Sequence, residues 1–166
     1  MAFKLSLKLK RCHGNDEQQV FYKIDGQRFK NERTLKLSSS TEYEIELTIK
    51  PRHEISSMAI QGTDVSLTKV LTRNNDDVAD IVDKNAYTGS WNTIGMPPKK
   101  DGERYQMPVT IQIPEIGEFV THLQCKLYRE SDTEHVTWGQ PLHWIEFDCQ
   151  KLSDRSFIDI FKESYR

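Results

Sequence analysis

Apolar and polar side chains alternate strictly along several segments of the chain. The positions that share the apolar phase are 3, 5, 7 and 9; 43, 45, 47 and 49; 105, 107, 109, 111 and 113; and 119, 121, 123, 125 and 127. Successive side chains of a β-strand point to opposite faces, so this period predicts strands that bury one face and expose the other. Four strands of this kind already favour a sheet with a single apolar side.

Weaker strand patterns occupy most of the remaining chain. They cover residues 20–24, 27–29, 34–37, 58–60, 65–71, 86–91 and 142–149. About ten short strands separated by turns predict an all-β fold, an antiparallel β-barrel or sandwich. Two short accessory helices are predicted at Asp76–Lys84 and Asp154–Lys162, where apolar residues recur at i, i+3 and i+4. The length of 166 residues predicts a single β-barrel domain over 1–166.

The dipeptide Asp25-Gly26 between two apolar segments predicts a hairpin with a two-residue type I′ turn. In that register Lys23 lies directly opposite Arg28, and opposed like charges destabilise a sheet. Either an acidic neighbour such as Glu44 or Glu46 compensates the pair, or an acidic ligand does. The pair is therefore a candidate binding feature with an ordinary salt bridge as the alternative.

Overall charge limits the classes of partner. Lys plus Arg number 23 and Asp plus Glu number 25, for a net charge of −2, so no bulk attraction draws the chain to nucleic acid. Apolar runs are far shorter than the roughly 20 residues that cross a bilayer, and no signal peptide precedes the first strand. Three cysteines are too few for a disulfide framework. These features predict a cytoplasmic protein.

Catalytic and metal-binding motifs are absent from the sequence. No Gly-rich phosphate loop, G-x-S-x-G or H-E-x-x-H motif occurs. His122 and Cys125 are three apart in a predicted strand and point to opposite faces, so they cannot share a metal ion. Cys125 and Cys149 lie in the apolar phase, where a thiol is inert. The sequence therefore predicts a protein that is not an enzyme and that carries no metal or cofactor.

Aromatic residues make a binding surface the main alternative to catalysis. They are Trp91, Trp138 and Trp144 with Tyr87, Tyr105 and Tyr128. A partly exposed subset beside Lys84, Arg104 and Lys126 would form a peptide groove, because aromatic and cationic side chains anchor such sites. Addition of a partner strand to a sheet edge is a second way to bind a peptide.

Several short segments, taken in order, resemble one known family. They are 20–29 (VFYKIDGQRF), 33–37, 49–51, 87–89 (YTG), 102–104, 116–119, 138–141 (WGQP), 145–149 and 162–164. Together they are similar to the cannabinoid receptor-interacting protein 1 family, and the likeness spans nearly the whole chain. The ten-residue first segment makes the resemblance specific.

The resemblance implies a cytoplasmic, non-enzymatic protein, recruited by its partner to the inner face of the plasma membrane. It implies binding to the C-terminal tail of the type-1 cannabinoid receptor or a related G-protein-coupled receptor, with attenuation of constitutive signalling. The implied fold is a β-barrel like that of Rho GDP-dissociation inhibitors. Lys84 and Tyr87, at the Tyr-Thr-Gly motif, are candidates for tail binding by similarity. With the cations identified above, the candidate partner-binding residues are Lys84, Tyr87, Lys23, Arg28 and Lys126.

Two further interpretations follow from the resemblance. A Rho GDP-dissociation inhibitor-like fold with an apolar cleft between its sheets would instead carry a lipid-modified partner, such as a prenylated small GTPase. The loop before Tyr87 is acidic, with Asp76, Asp77, Asp80 and Asp83. If basic side chains in this loop normally contact acidic residues of the receptor tail, the acidic loop predicts that this protein binds a different tail or binds the tail more weakly.

Overall fold

The computed structural model describes residues 1–71 and 83–166, and its regular structure is almost entirely β. The strands in these residues are β1 (Ala2–His13), β2 (Asp16–Ile24), β3 (Arg33–Ser38), β4 (Glu42–Lys50), β5 (Ser57–Ile60), β6 (Thr63–Val65), β7 (Thr68–Lys69), β8 (Asn85–Asn92), β9 (Tyr105–Ile113), β10 (Gly117–Tyr128), β11 (Gln140–Leu142), β12 (Ile145–Lys151) and β13 (Ile158–Tyr165). Short 3-10 helices lie at Lys100–Gly102 and His135–Thr137. The all-β class is confirmed. Most of the predicted helix Asp76–Lys84 lies outside the described residues.

The strands form one continuous sheet that curls into a half-barrel. Its order is β6-β5-β9-β10-β3-β2-β1-β4-β8-β7, with β11 on β2 and β12 between β1 and β13. The long strand β1 makes the curl, because residues 2–7 pair with β12 while residues 10–13 pair with β2. All pairs are antiparallel except β3 with β10, where Leu35 lies beside Cys125 in parallel register.

Alternation places the core as predicted. All four apolar positions of β1 and of β4 are buried, and the inner face of β10 buries Phe119, Leu123 and Leu127. The rings of Phe119 and Phe147 meet edge to face, with centroids 5.2 Å apart, and so join the two halves of the curled sheet. Burial raises the pKa of the Cys149 thiol to about 12, which agrees with a packing role for this side chain.

The second predicted helix, Asp154–Lys162, is wrong. Residues from Ile158 onwards form β13, which pairs with β12. Ile160 lies opposite Cys149 and Lys162 lies opposite Asp148, so Phe161 is an extra residue on this strand, a β-bulge. The bulge interrupts the two-residue period by placing Phe161 directly after Ile160, and these two residues together with Phe157 imitate helical spacing.

The predicted two-residue hairpin is also wrong. β2 ends at Ile24 and β3 begins at Arg33, with Lys23 paired to Thr34 rather than to Arg28. Gly26 has the positive φ of +66° that a type I′ turn needs, but Asp25 does not, and the turn requires it at both residues. Residues 25–32 form a longer loop, which contains the strand predicted at 27–29.

Gly89 lies where strand β8 passes under the segment that carries β6 and β7. A Cβ added there would lie 2.8 Å from Cγ1 of Val65 and 2.9 Å from the carbonyl oxygen of Ser66. Gly89→Ala is therefore expected to lower the free energy of unfolding by about 1–3 kcal/mol, the usual cost of overpacking. Urea denaturation measures the change. Ser90→Ala, on the exposed side of the same strand, serves as the control, and equal stability of both variants would refute the close contact.

Candidate partner-binding groove

Three lysines stand side by side on the outer face of the half-barrel. Lys23, Lys36 and Lys126 belong to β2, β3 and β10, which are neighbours in the sheet. Lys36 lies directly beside Lys126 in the parallel pair. Each of these two lysines falls between buried residues of its own strand, so alternation turns its side chain away from the core. Lys36 is nevertheless only 6% exposed, and its Nζ donates a hydrogen bond to the carbonyl of His135.

The lysines line a groove of about 380 Å³, here called the basic–aromatic groove. Its residues are Lys23, Lys36, Lys126, Leu127, Tyr128, Arg129, Asp132, His135 and Trp138. Trp138 is 57% exposed, and its ring centroid lies 4.4 Å from that of His135. A large apolar ring held in place beside several cations is typical of a peptide-anchoring surface.

Two of the ammonium groups share one aromatic ring. The Nζ atoms of Lys36 and Lys126 lie 5.4 and 5.0 Å from the centroid of Tyr128. Burial, and then the neighbouring cations including Lys23, lower the pKa of both lysines. Within the described residues, no carboxylate lies within ion-pair distance of Lys36 or Lys126. An anionic group that entered the groove would therefore relieve repulsion between like charges.

The carboxylate of Asp132, which also lines the groove, is already engaged. Its Oδ1 accepts hydrogen bonds from the backbone N–H groups of Glu134 and His135 at 3.0 and 2.9 Å. Its Oδ2 lies 3.0 Å from Nδ1 of His135. Desolvation acts in the opposite direction, but these hydrogen bonds outweigh it and hold the pKa of Asp132 below its usual value. Asp132 thus shapes the segment that carries Trp138.

A buried ion pair holds the loop 25–32 beside the groove. Nη2 of Arg104 lies 3.2 Å from Oδ2 of Asp25, and the two side chains are 4% and 2% exposed. Thr34 donates a hydrogen bond to the same oxygen at 2.5 Å. Burial alone would raise the pKa of Asp25, but the hydrogen bonds from Thr34 and Arg104 outweigh it and lower that pKa.

Lys23 extends this cluster, because its Nζ lies 3.5 Å from Oδ1 of Asp25. Asp25 is therefore the carboxylate beside Lys23. The glutamates proposed from sequence as its partners lie elsewhere, since Glu44 and Glu46 pair with Lys10 and Lys8 across β1 and β4.

Gln124 ties the same loop to the sheet. Alternation predicts that this residue faces solvent, yet it is fully buried. Its Nε2 donates to the carbonyl of Asn31 at 2.7 Å and to Oγ1 of Thr34 at 2.9 Å, while its Oε1 accepts from the backbone N–H of Asn31 at 3.0 Å. The loop thus lies over the outer face of β10.

Comparison with known proteins identifies the family of this chain. The sequence pattern of the family described as "CB1 cannabinoid receptor-interacting protein 1" matches residues 1–165. The chain belongs to this family. Proteins of that name from Bos taurus, Homo sapiens and Mus musculus are each 37% identical to it over 163 residues, which cover 98% of this chain and 94% of the relative. The resemblance identified from sequence is confirmed.

The residues singled out from the cannabinoid receptor-interacting protein family lie away from the groove. Lys84 precedes β8 and Tyr87 lies within it, in the other half of the sheet. Tyr87 is 4% exposed. Its hydroxyl donates to Oε2 of Glu54 at 3.1 Å and accepts from the backbone N–H of Ile55 at 2.9 Å. Tyr87 therefore supports the core and the segment above it.

Lys84 is exposed and lines a separate groove of about 290 Å³, bounded by Ser6, Lys8, Glu46, Thr48, Lys50, Lys84, Trp144 and Glu146. Two glutamates offset its three lysines, so the charge excess is smaller than in the basic–aromatic groove. Of the acidic loop, Asp83 lies 3.9 Å from Nε of Arg52. Asp76, Asp77 and Asp80 lie outside the described residues.

Arg28 lies at the margin of the basic–aromatic groove. Its guanidinium stacks on the ring of Phe29 at 5.1 Å, and its charge contributes to lowering the pKa of Lys126, after burial and closer cations. Of the five predicted residues, Lys23 and Lys126 therefore line the groove and Arg28 flanks it. Lys36 was missed, although the pattern Leu35-Lys36-Leu37 already directs its side chain outward.

The described residues contain neither a metal-binding cluster nor a membrane-spanning helix. Among residues 1–71 and 83–166, no three His, Cys, Asp or Glu side chains gather as a metal site would require. None of the helices described there has the length and apolar character to cross a bilayer.

Proposed function

We propose that this protein is a non-enzymatic cytoplasmic adaptor, a single domain over 1–166, that binds the C-terminal tail of the type-1 cannabinoid receptor or a related G-protein-coupled receptor. Binding at the inner face of the plasma membrane would attenuate constitutive signalling by occupying a segment that other proteins need. Family membership supports the class of partner. The single observation that favours the basic–aromatic groove is its pair of lysines, Lys36 and Lys126, which have no carboxylate partner among the described residues and lie beside an exposed tryptophan.

The chemistry of the groove suits an extended peptide with acidic side chains. Lys36 and Lys126 would form charge-assisted hydrogen bonds with carboxylates, and Trp138 would cover an apolar residue next to them. Electrostatic complementarity of this kind sets specificity and speeds association. The interaction is expected to weaken with added salt, because Lys126 remains partly accessible to solvent.

The groove is held in shape before any partner arrives. Nζ of Lys36 donates to the carbonyl of His135 at 2.9 Å. A Cβ added to Gly139 would lie 2.5 Å from the carbonyl oxygen of Tyr22, so the segment after Trp138 packs closely on β2. Preorganisation of this kind reduces the conformational entropy that binding costs.

Lipid carriage finds no comparable support in the described residues. Packed apolar side chains from both halves of the curled sheet fill its interior. The grooves described above are lined by charged side chains, whereas an acyl or isoprenyl chain needs an apolar cavity. We therefore propose the adaptor function alone.

Charge reversal at Lys126 tests the groove against the alternative surface. Lys126→Glu is expected to weaken binding of a fluorescently labelled receptor-tail peptide at least about tenfold at low salt, since it replaces attraction by repulsion. Lys84→Glu changes the net charge equally on the other groove and is expected to alter the affinity less than about twofold. Fluorescence anisotropy gives both affinities, and far-UV circular dichroism checks that both variants fold.

If Lys84→Glu weakened peptide binding more than Lys126→Glu, the binding site would lie in the Lys84 groove instead. Equal, small effects of both substitutions would exclude an electrostatic role for either surface. Absence of saturable binding of the tail peptide to the wild-type protein would refute the proposed function itself.

A further inference from the structure

A second pocket lies at the end of the half-barrel, next to the basic–aromatic groove. It encloses about 240 Å³ where β1, β2 and β4 meet the segment 133–137. Lys36 lines both the pocket and the groove. The two depressions therefore meet at this side chain.

Arg11 lines this pocket at a position of β1 where the alternation predicts another apolar core residue. It follows Leu5, Leu7 and Leu9 in the same phase of β1, so its side chain extends the inner face beyond the last leucine. Its Nε is buried and has no hydrogen-bond partner in residues 1–71 and 83–166. Within the described residues, no carboxylate lies within ion-pair distance of its guanidinium.

The pocket holds further cationic and polar groups, and its lining contains no carboxylate among the residues that the structure describes. Its lining includes Lys36, His13, the amides of Gln18 and Gln19, and the hydroxyl of Tyr43. The nearby glutamates of β4, Glu44 and Glu46, pair with Lys10 and Lys8 on the opposite face of the sheet. A guanidinium without a carboxylate partner among the described residues, in a pocket with further cationic and polar groups, favours an anion.

We infer that this pocket binds a carboxylate side chain of the peptide that lies in the basic–aromatic groove. The inference rests on the proposed function and adds to it a subsite and a specificity. The planar guanidinium of Arg11 matches a carboxylate through two parallel hydrogen bonds. Lys36 spans from the groove into the pocket, so an acidic residue next to the groove-bound segment reaches both cations.

The small-molecule arm of the test uses N-acetylglutamate amide and its neutral isostere N-acetylglutamine amide. Each is titrated into ¹⁵N-labelled protein while the Nε–H signal of Arg11 and the side-chain amide of Gln18 are followed by NMR. We expect saturable shifts with the carboxylate probe alone. Equal shifts with the neutral probe, or no shift with either, would overturn the subsite.

The peptide arm compares substitutions at adjacent residues on opposite faces of β1. Arg11→Gln is expected to weaken binding of the labelled tail peptide roughly tenfold, and Arg11→Lys less, because lysine keeps the charge but lacks the planar fork. Lys10→Gln removes the same charge from the other face and is expected to leave the affinity within about twofold. If Arg11→Gln does not fold, the conservative Arg11→Lys variant still tests the subsite.

The outcomes separate the subsite from the proposed function. If the carboxylate probe shifts the Arg11 signal while the tail peptide fails to bind, the subsite stands and the assigned partner is wrong. If the peptide binds the wild type and the Arg11 variants equally well, the function stands and the subsite is refuted.

Discussion

Replacement of Arg104 by methionine is expected to lower the free energy of unfolding at neutral pH by about 3–5 kcal/mol, the usual cost of leaving one member of a buried ion pair alone. Asp25 would keep its hydrogen bond from Thr34 but lose the guanidinium 3.2 Å away. Arg104 also stacks on the ring of Phe29, at 4.2 Å from its centroid. Loss of this packing would further loosen the loop 25–32.

The loss of stability caused by Arg104→Met is expected to become smaller at acidic pH. Arg104 and Thr34 lower the pKa of Asp25 in the folded protein, so the ion pair stabilises the fold above the unfolded pKa of about 4. That contribution is lost as pH falls through the folded pKa. In Arg104→Met the unpaired carboxyl is protonated more readily, and the difference in stability from wild type shrinks accordingly.

Urea denaturation at pH 7 and at lower pH measures both effects. Arg155→Met is a matched control, because Arg155 pairs with Asp159 at 3.0 Å on the surface, where such pairs contribute about 0–1 kcal/mol. The double variant Asp25→Leu/Arg104→Met is expected to recover much of the lost stability. A loss below about 1 kcal/mol in Arg104→Met would contradict the structural role assigned to the pair.

Phe147→Ala is expected to cost about 3–5 kcal/mol, the range for removal of a buried aromatic ring. The side chain is fully buried, and its ring contacts Phe119 across the two halves of the curled sheet. The cavity would open at the centre of the half-barrel, where strands on both sides are fixed by pairing and relax little. Thermal and urea unfolding both report the loss.

Phe161→Ala provides the control for the same chemical change. Phe161 is 63% exposed, so its truncation is expected to change stability by no more than about 0.5 kcal/mol. Comparable losses in the two variants would mean that the core does not lie between the two halves of the sheet.

Local periodicity predicted the strands that have one buried and one solvated face. It failed where tertiary contacts overrode it. Gln124 lies on the outer face, as its phase requires, but the loop 25–32 covers it. Asp25-Gly26 has the dipeptide of a tight hairpin, but burial of the carboxylate against Arg104, far along the chain, favours a longer loop.

The sequence predicts individual residues of the candidate groove, but it does not predict that they lie next to one another. Charge and phase alone mark Lys23 and Lys126 as exposed cations. Their proximity depends on the parallel pairing of β3 with β10, and parallel neighbours leave no turn signal between them in the sequence. Arg11 illustrates the same limit. Its position after three leucines marks it as unusual, whereas the pocket around it, whose described lining contains no carboxylate, is apparent only from the structure.

The bulge at Phe161 has a consequence for self-association. Among the described strands, β13 pairs only with β12, and an edge of this kind offers N–H and C=O groups to a strand of another molecule. The extra residue breaks the even spacing of those groups half-way along the strand, and Asp159 and Lys162 place charges beside it. A second copy therefore finds no uninterrupted template at this strand, which disfavours edge-to-edge association there.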